Sequence, residues 1–452
     1  MPAFSPDFIA RTASGHWTRE PVCALTGFGI DTRRIGAGTV FVAIKSAARD
    51  GHAFLAAAEA AGASAALVAK PDASLSLPQL VVADPLVAFQ AIAAAHRKAF
   101  LGPVVGISGS AGKTSTKDLL ALLLASSPGK VLATEGNLNN HLGVPLSLTR
   151  LDSATHRFAV IEAGIGGPGE MAPLAAMIQP DLAIITLVGP AHLEALGSLE
   201  GVAREKSILP AAVRPGGLKL FAASCAAYES FRNLSVPIRP LSPNISQSED
   251  ATRIRFIPTN SSLEVDFHCR RISSGMAGNA ALALAAALHL GVSSADAQLR
   301  LNLWKPAALR GELRRDAAGR WLYVDCYNAN PASMHDALAV FADLAPAALP
   351  RLYIVGGMEE LGVDTLRYHR EFGAALAACL RPADLALVLA APAAADALVQ
   401  GSGSPAVIAV PDLASARLHL DHFTGSVFIK GSRRYQLESL LAPSGEIAAH
   451  SQ

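Results

Sequence analysis

Cysteine is scarce: five in 452 residues, at Cys23, Cys225, Cys269, Cys326 and Cys379, with no Cys-x-x-Cys pair. That argues against a disulfide framework or a cysteine zinc site and fits a reducing compartment. Excess charge is lacking too. The formal net charge is +1 with 17% charged residues, so no basic stripe announces nucleic acid. Any phosphate-bearing substrate must then be met by a local site. Long hydrophobic runs are missing. The most apolar stretch, 280–290, is too short to span a bilayer and contains His289. Residues 1–10 carry no basic segment followed by an apolar one, so no signal peptide is read there. The expectation is a cytoplasmic protein with no membrane insertion. Repeats and low-complexity tails are also lacking.

What is present is length and alanine. A chain of 452 residues suggests about three domains. Its 51% hydrophobic content is largely alanine, which reads as helix-rich α/β. In the first ~100 residues, short strands are expected at 39–44, 65–69 and 80–83, with helices at 53–62 and 86–100. A new pattern begins at Pro103. Apolar strands at 104–108, 158–161 and 182–187 alternate with helices, the first at 113–125, which implies a parallel sheet covered on both faces. Residues 253–269 alternate instead and suggest an antiparallel appendage. A helix at 280–290 follows. From about Arg310 a second doubly wound set is expected, with strands at 322–325, 352–355, 385–389, 407–409 and 427–430. Helices at 333–344, 364–380 and 413–422 separate them. The fold class is therefore α/β in three domains, at 1–101, 102–308 and 309–452.

The strongest chemical signal is Gly109-Ser110-Ala111-Gly112-Lys113-Thr114-Ser115-Thr116, between a strand and a helix. Glycines let the backbone fold tightly enough to aim N–H groups at a phosphate at the helix N-terminus. Lys113 can reach the β- and γ-phosphates of a nucleotide, and the Thr114 hydroxyl can ligate Mg²⁺. Ile107 stands where the common P-loop has its first glycine, so this is a shorter variant. The alternative is a plain Gly/Ser turn with a solvated lysine.

Weaker signals share the address where such sheets bind ligands, the C-terminal strand ends. Glu162 ends a strand opposite the P-loop and suits Mg²⁺. His192 lies beyond the next strand, and Lys206 sits in the following helix. Asn137, Asn139 and Asn140 fall in the segment from Thr134 to Pro145 and could bind phosphate or carboxylate, or simply form a turn. In the third domain, Asp325-Cys326-Tyr327-Asn328-Ala329-Asn330-Pro331 and Lys430-Gly431-Ser432-Arg433 also sit at strand ends. The latter suits an anion. Each of these alone could be structural.

Taken in order, GSAGKTST, GNLNNHLGVPL, VIEAG, AHLEALGS, EKS, DCYNANPAS, GGMEELG and KGSR resemble the Mur ligase family from end to end. The resemblance implies an ATP-dependent amide ligase. The GNLNNHLGVPL, YNANP and KGSR segments look most like the branch that adds D-alanyl-D-alanine to a UDP-N-acetylmuramoyl-tripeptide. It further implies an N-terminal UDP-binding unit using Thr32, Arg33, Lys45, Asp50 and His52. Thr114 and Glu162 would hold one Mg²⁺, and His192 and a carbamylated Lys206 would help hold a second. Asn279, Arg310 and Asp325 would meet the nucleotide. Asn328, Asn330, Lys430, Ser432 and Arg433 would meet the substrates. A monomer is expected. Some family positions differ: Gly278 and Leu282 replace polar residues near the adenine, and Gly357 replaces an aspartate. These changes spare the phosphate and metal residues, so they imply altered ATP contacts with catalysis kept. A family ligase for another acid or amine, or a non-catalytic binding relative, is the alternative. Intact Lys113, Glu162, His192 and Lys206 argue against the second.

Overall fold

The computed structural model describes residues 2–234, 238–248, 250–259, 261–316 and 319–441. Four sheets organise them. The first has five strands, and its edge strand His16–Trp17 runs antiparallel to Gln79–Val81. Its other strands, Gly27–Gly29, Thr39–Val42, Ala65–Val68 and Gln79–Val81, are parallel. The strand expected at 39–44 stops at Val42, and the helix expected at 53–62 is a 3₁₀ turn, Gly51–Phe54, running into the helix Leu55–Ala60. Asp50 caps that turn by accepting from the His52 N–H.

The central sheet has six parallel strands in the order Ile238–Leu241, Leu218–Ala222, Leu182–Ile185, Val104–Ser108, Phe158–Glu162, Val131–Ala133. Val104–Ser108, Leu182–Ile185 and all but the first residue of Phe158–Glu162 are buried. That burial on both faces is why they read as unbroken apolar runs. The helices Lys113–Leu124 and Ser274–His289 cover one face, packing Leu119, Leu120 and Leu123 against an alanine-rich stripe from Ala280 to Ala287. Small alanines let these helices pack closely. The alternating segment forms an antiparallel sheet of three strands, Asn244–Gln247, Ala251–Phe256 and Val265–Arg270.

The fourth sheet runs Glu312–Arg315, Trp321–Asp325, Ser426–Lys430, Arg351–Gly356, Leu385–Leu389, Val407–Ala409. Glu312–Arg315 is an antiparallel edge that the sequence did not suggest, because three of its four residues are charged and three are exposed. The last strand, Ser426–Lys430, returns to the middle of the sheet, so Asp325 and Lys430 end in register side by side.

The units are joined by specific contacts. Arg97, fully buried at the end of the Pro85–Ala99 helix, donates to the carbonyls of Phe100, Ile178 and Gln179 and pairs with Asp181 at 2.8 Å. A guanidinium fits this place because its fork has enough donors to satisfy every neighbour. Among the described residues, no helix is long and apolar enough to cross a membrane.

Candidate active site

The P-loop joins the Val104–Ser108 strand to the Lys113–Leu124 helix. Two of its glycines are required by space as well as backbone. Gly109 has φ +150, and a Cβ there would lie 1.9 Å from Thr186 Oγ1; Gly112 has φ +78, and a Cβ would lie 2.0 Å from Asn279 Nδ2. Thr186 Oγ1 donates to the Ala111 carbonyl at 2.5 Å, and Ser110 Oγ donates to the Gly189 carbonyl at 2.9 Å. The loop is thus pinned to the segment after the neighbouring strand before any ligand arrives.

Strand register puts Ile107 beside Glu162, so the acid emerges next to the loop. Glu162 is buried. Its Oε2 accepts from Thr114 Oγ1 at 3.0 Å and its Oε1 from Asn139 Nδ2 at 2.8 Å. Lys113 Nζ donates to the Gly109 carbonyl at 2.9 Å. Burial pulls the Lys113 pKa down, Glu162 opposes this, and Arg310 adds to it.

These groups line a cavity of about 700 Å³. Ser110, Ala111, Gly112, Ser115, Asn137, Asn140, His192, Asn279, Arg310, Asp325, Asn328, Asn330 and Lys430 line it as well. The cavity therefore lies between the central and C-terminal sheets. The C-terminal unit is docked onto the P-loop, since Asn330 Nδ2 donates to the Ser110 carbonyl at 3.0 Å while its Oδ1 caps the Pro331–Leu344 helix. His192 holds φ +56, and its Nδ1 meets the Glu360 carboxylate of the C-terminal unit. Asp336, from the same unit, accepts from the Gly275 N–H at 2.9 Å, and burial raises its pKa.

Other expected residues are placed differently. Lys206 does not line the cavity. It is fully buried, and its Nζ has no hydrogen-bond partner among the described residues. Burial first, and then the Lys113 charge, holds its pKa well below the usual lysine range. Lys430 lines the cavity but is satisfied internally, by Asp325 at 3.0 Å and the Asn328 carbonyl at 2.8 Å. Ser432 is buried with its N–H on the Gly357 carbonyl. Arg433 does not line the cavity; it pairs with Glu438 at 3.3 Å and lies over the Tyr327 ring. Asn140 Oδ1 accepts from the Leu142 and Gly143 N–H groups. Leu282 packs in the apolar core, so of the two altered adenine positions only Gly278 faces the cavity.

Thr32, Arg33, Lys45, Asp50 and His52 form a separate group. They follow the Gly27–Gly29 and Thr39–Val42 strands, so they share one edge of the N-terminal sheet. Arg33 pairs with Asp31 at 2.8 Å, which holds the Asp31 carboxyl down at about 2. His52 Nδ1 meets Asp50 at 2.7 Å, and its Nε2 accepts from the Ala69 N–H.

No group of three or more His, Cys, Asp or Glu side chains able to hold a metal occurs among the described residues. Mg²⁺ does not need one, since it commonly takes one or two carboxylates and fills its shell with water and phosphate oxygens. Glu162, with the Thr114 hydroxyl bonded to it, fits that demand, whereas His192 lines the same cavity with its Nδ1 on Glu360. Sequence reasoning missed Thr186, Asp336 and Tyr323, which line the cavity, and Glu360, which meets His192. Glu360 stood in the GGMEELG motif, but its partner could be found only across the domain seam.

Residues 24–100 match the catalytic domain of the Mur ligase family, 107–287 the Mur ligase middle domain, and 309–433 the Mur ligase glutamate ligase domain. The UDP-N-acetylmuramoyl-tripeptide–D-alanyl-D-alanine ligase of Escherichia coli is 33% identical, over 91% of this chain and 92% of its own. The Bacillus subtilis protein of that name is 31% identical over 77% of each. A crystal structure of MurF from Acinetobacter baumannii superposes with a TM-score of 0.87 at 27% identity, covering 97% of this chain and 98% of that one. This chain belongs to the Mur ligase family.

Proposed function

We propose that this chain joins D-alanyl-D-alanine to the terminal carboxylate of UDP-N-acetylmuramoyl-tripeptide, with ATP as the source of activation. The supporting observation is the convergence of Lys113, Thr114 and Glu162 with Asn330 and Asp325 in one cavity between two sheets. It is joined by similarity to relatives that carry that name, over 91% of this chain for one and 77% for the other. A carboxylate is a poor electrophile, so it must be activated. A carboxylate oxygen attacks the γ-phosphorus of ATP, forming an acyl phosphate and releasing ADP. The amine of D-alanyl-D-alanine then attacks the acyl carbon, loses a proton, and expels inorganic phosphate as the amide forms.

The chain's part is positioning and charge. P-loop N–H groups cradle the phosphates, and Lys113 balances charge on the transferred phosphoryl group. Thr114 and Glu162 would hold one Mg²⁺, with His192 and Lys206 contributing to a second. Bound Mg²⁺ would neutralise phosphate charge and fix phosphate geometry. Lys206 suits carbamylation: a buried amine whose cationic form is disfavoured is nucleophilic, and its carbamate is an anion. Asp325, beside Lys430 in the cavity wall, would meet the nucleotide. Asn137 and Asn328 would supply amides for the peptide parts, while Asn139, Asn140 and Asn330 shape the wall through their bonds to Glu162, to the Leu142 and Gly143 N–H groups and to Ser110. Thr32, Arg33, Lys45, Asp50 and His52 would hold the UDP end. We assign the protein to the cytoplasm, acting as a monomer in cell-wall synthesis.

The test is phosphate release from ATP with the UDP-tripeptide, with and without D-alanyl-D-alanine. Release that depends on both acid and amine is expected. Release with other amines at equal rate, or none at all, overturns the assignment.

A further inference from the structure

Arg310 is the cation on the linker between the central and C-terminal units. It stands between Leu309 at φ +63 and Gly311 at φ +65, so two left-handed residues turn the chain sharply around it. Its guanidinium carbon lies 3.9 Å from the centroid of the Tyr327 ring. The Tyr327 N–H closes the turn by donating to the Leu309 carbonyl at 3.2 Å. Arg433 reaches the same ring, at 5.5 Å. The two arginines differ in their other partners. Arg433 is paired with Glu438 and lies outside the cavity lining. Arg310 lines the cavity with Lys113, and no carboxylate pairs with it among the described residues.

This difference has a chemical meaning. A carboxylate partner would neutralise Arg310 and occupy its donors. An aromatic face attracts the cation through its quadrupole yet accepts no N–H in the guanidinium plane. Held that way, Arg310 keeps its fork for an anion. We propose that Tyr327 is a positioning residue whose ring holds Arg310 toward the phosphate end of the cavity. The proposal rests on the reading that this cavity takes a nucleoside triphosphate.

Calorimetric binding of a non-hydrolysable ATP analogue to the full chain tests it, together with steady-state phosphate release. Tyr327→Leu should weaken analogue binding or lower kcat by roughly 3- to 30-fold, the span of a cation–π contact from exposed to desolvated. The KM for the UDP-precursor should stay unchanged. Tyr327→Phe, which keeps the ring, should recover most of the loss. In the Arg310→Ala background, Tyr327→Leu should add nothing further. Replacing Tyr327 by pentafluorophenylalanine keeps the ring's shape and inverts its quadrupole, and should resemble Tyr327→Leu even if the leucine variant folds poorly. Full analogue affinity and turnover in the fluorinated protein, or additive losses in the double variant, overturn the proposal alone. An unaltered protein that does not bind the analogue overturns the functional reading and the proposal with it.

Discussion

His192 and Glu360 face each other across the seam between the central and C-terminal units, and both hold left-handed backbone conformations, at φ +56 and φ +62. Non-glycine residues in this region each carry on the order of 1 kcal/mol of strain or more, which the surroundings must offset. Here the Glu194 N–H donates to the Glu360 carbonyl at 3.2 Å, and the Gly362 backbone packs against Glu194. The His192 hydrogen bond holds the Glu360 carboxyl below the usual range. Glu360→Ala is expected to lower turnover about 10-fold, the scale of a hydrogen bond to a charged group. Glu360→Gln should lose less, because its amide oxygen still accepts from the imidazole. Equal losses in the two variants, compared by steady-state kinetics, would rule out this hydrogen bond as the cause.

Lys113→Ala is expected to abolish ligation and leave the fold intact. Among the described residues the side chain donates only to the Gly109 carbonyl, so its removal costs one hydrogen bond, whereas a transferring phosphoryl group loses a balancing charge. Circular dichroism reports the fold and phosphate release the activity. Near-normal turnover at saturating ATP would sink the phosphate assignment.

Lys206→Ala should also be inactive, and short-chain carboxylates should restore part of the activity by supplying an anion in the vacated space. The reason is the buried amine, without a hydrogen-bond partner among the described residues, whose pKa is driven well down by burial and by Lys113. A carbamate carbon signal should appear in NMR spectra with ¹³C-labelled bicarbonate. Full activity without that signal would show that the amine works unmodified.

Much of this arrangement was legible in the sequence because it is local. A P-loop is contiguous, and its glycines announce the backbone it needs. The buried parallel strands read as apolar runs, and Leu385–Leu389 and Val407–Ala409 fall where expected. What stayed hidden depends on pairing between distant segments. Lys430 looked like a free cation for substrate, but strand order sets it in register with Asp325. Leu282 looked like an altered adenine contact, but helix phase turns it into the core. The family's aspartate at Gly357 would displace Tyr435, since a Cβ there would lie 2.7 Å from the Tyr435 hydroxyl, which bonds Glu359.

Acid should loosen the segment that carries Glu360. His369 is fully buried; its Nδ1 lies 2.7 Å from the Thr365 carbonyl, and its Nε2 accepts from the Met358 N–H at 3.0 Å. That tautomer is neutral, and burial holds its pKa below 6.5. A histidine with a depressed folded pKa binds protons more readily when unfolded. Its contribution is therefore fully present above the unfolded value and lost as pH falls below about 6.5. The Tm should drop in that range, and His369→Gln should flatten the drop while lowering Tm at neutral pH. An unchanged pH dependence in that variant would assign the acid sensitivity elsewhere.

Adenine discrimination should be weak in this chain. Gly278 lies within the Ser274–His289 helix and faces the cavity, and a Cβ built there meets nothing within 4 Å. The family's polar side chain is therefore missing, and its space is open. Gly278→Ala should stabilise the protein by about 0.5–1 kcal/mol, because glycine loses more backbone freedom than alanine in a helix. It should not change nucleotide preference. Gly278→His adds a hydrogen-bonding group, typically worth about 0.5–1.5 kcal/mol. It should lower the KM for ATP by several-fold at most and widen the gap to GTP. The unaltered chain should then prefer ATP only modestly. An ATP preference above roughly a thousandfold exceeds what one such hydrogen bond supplies. It would mean that another group on the cavity wall, with Asp336 the first to replace, reads the base.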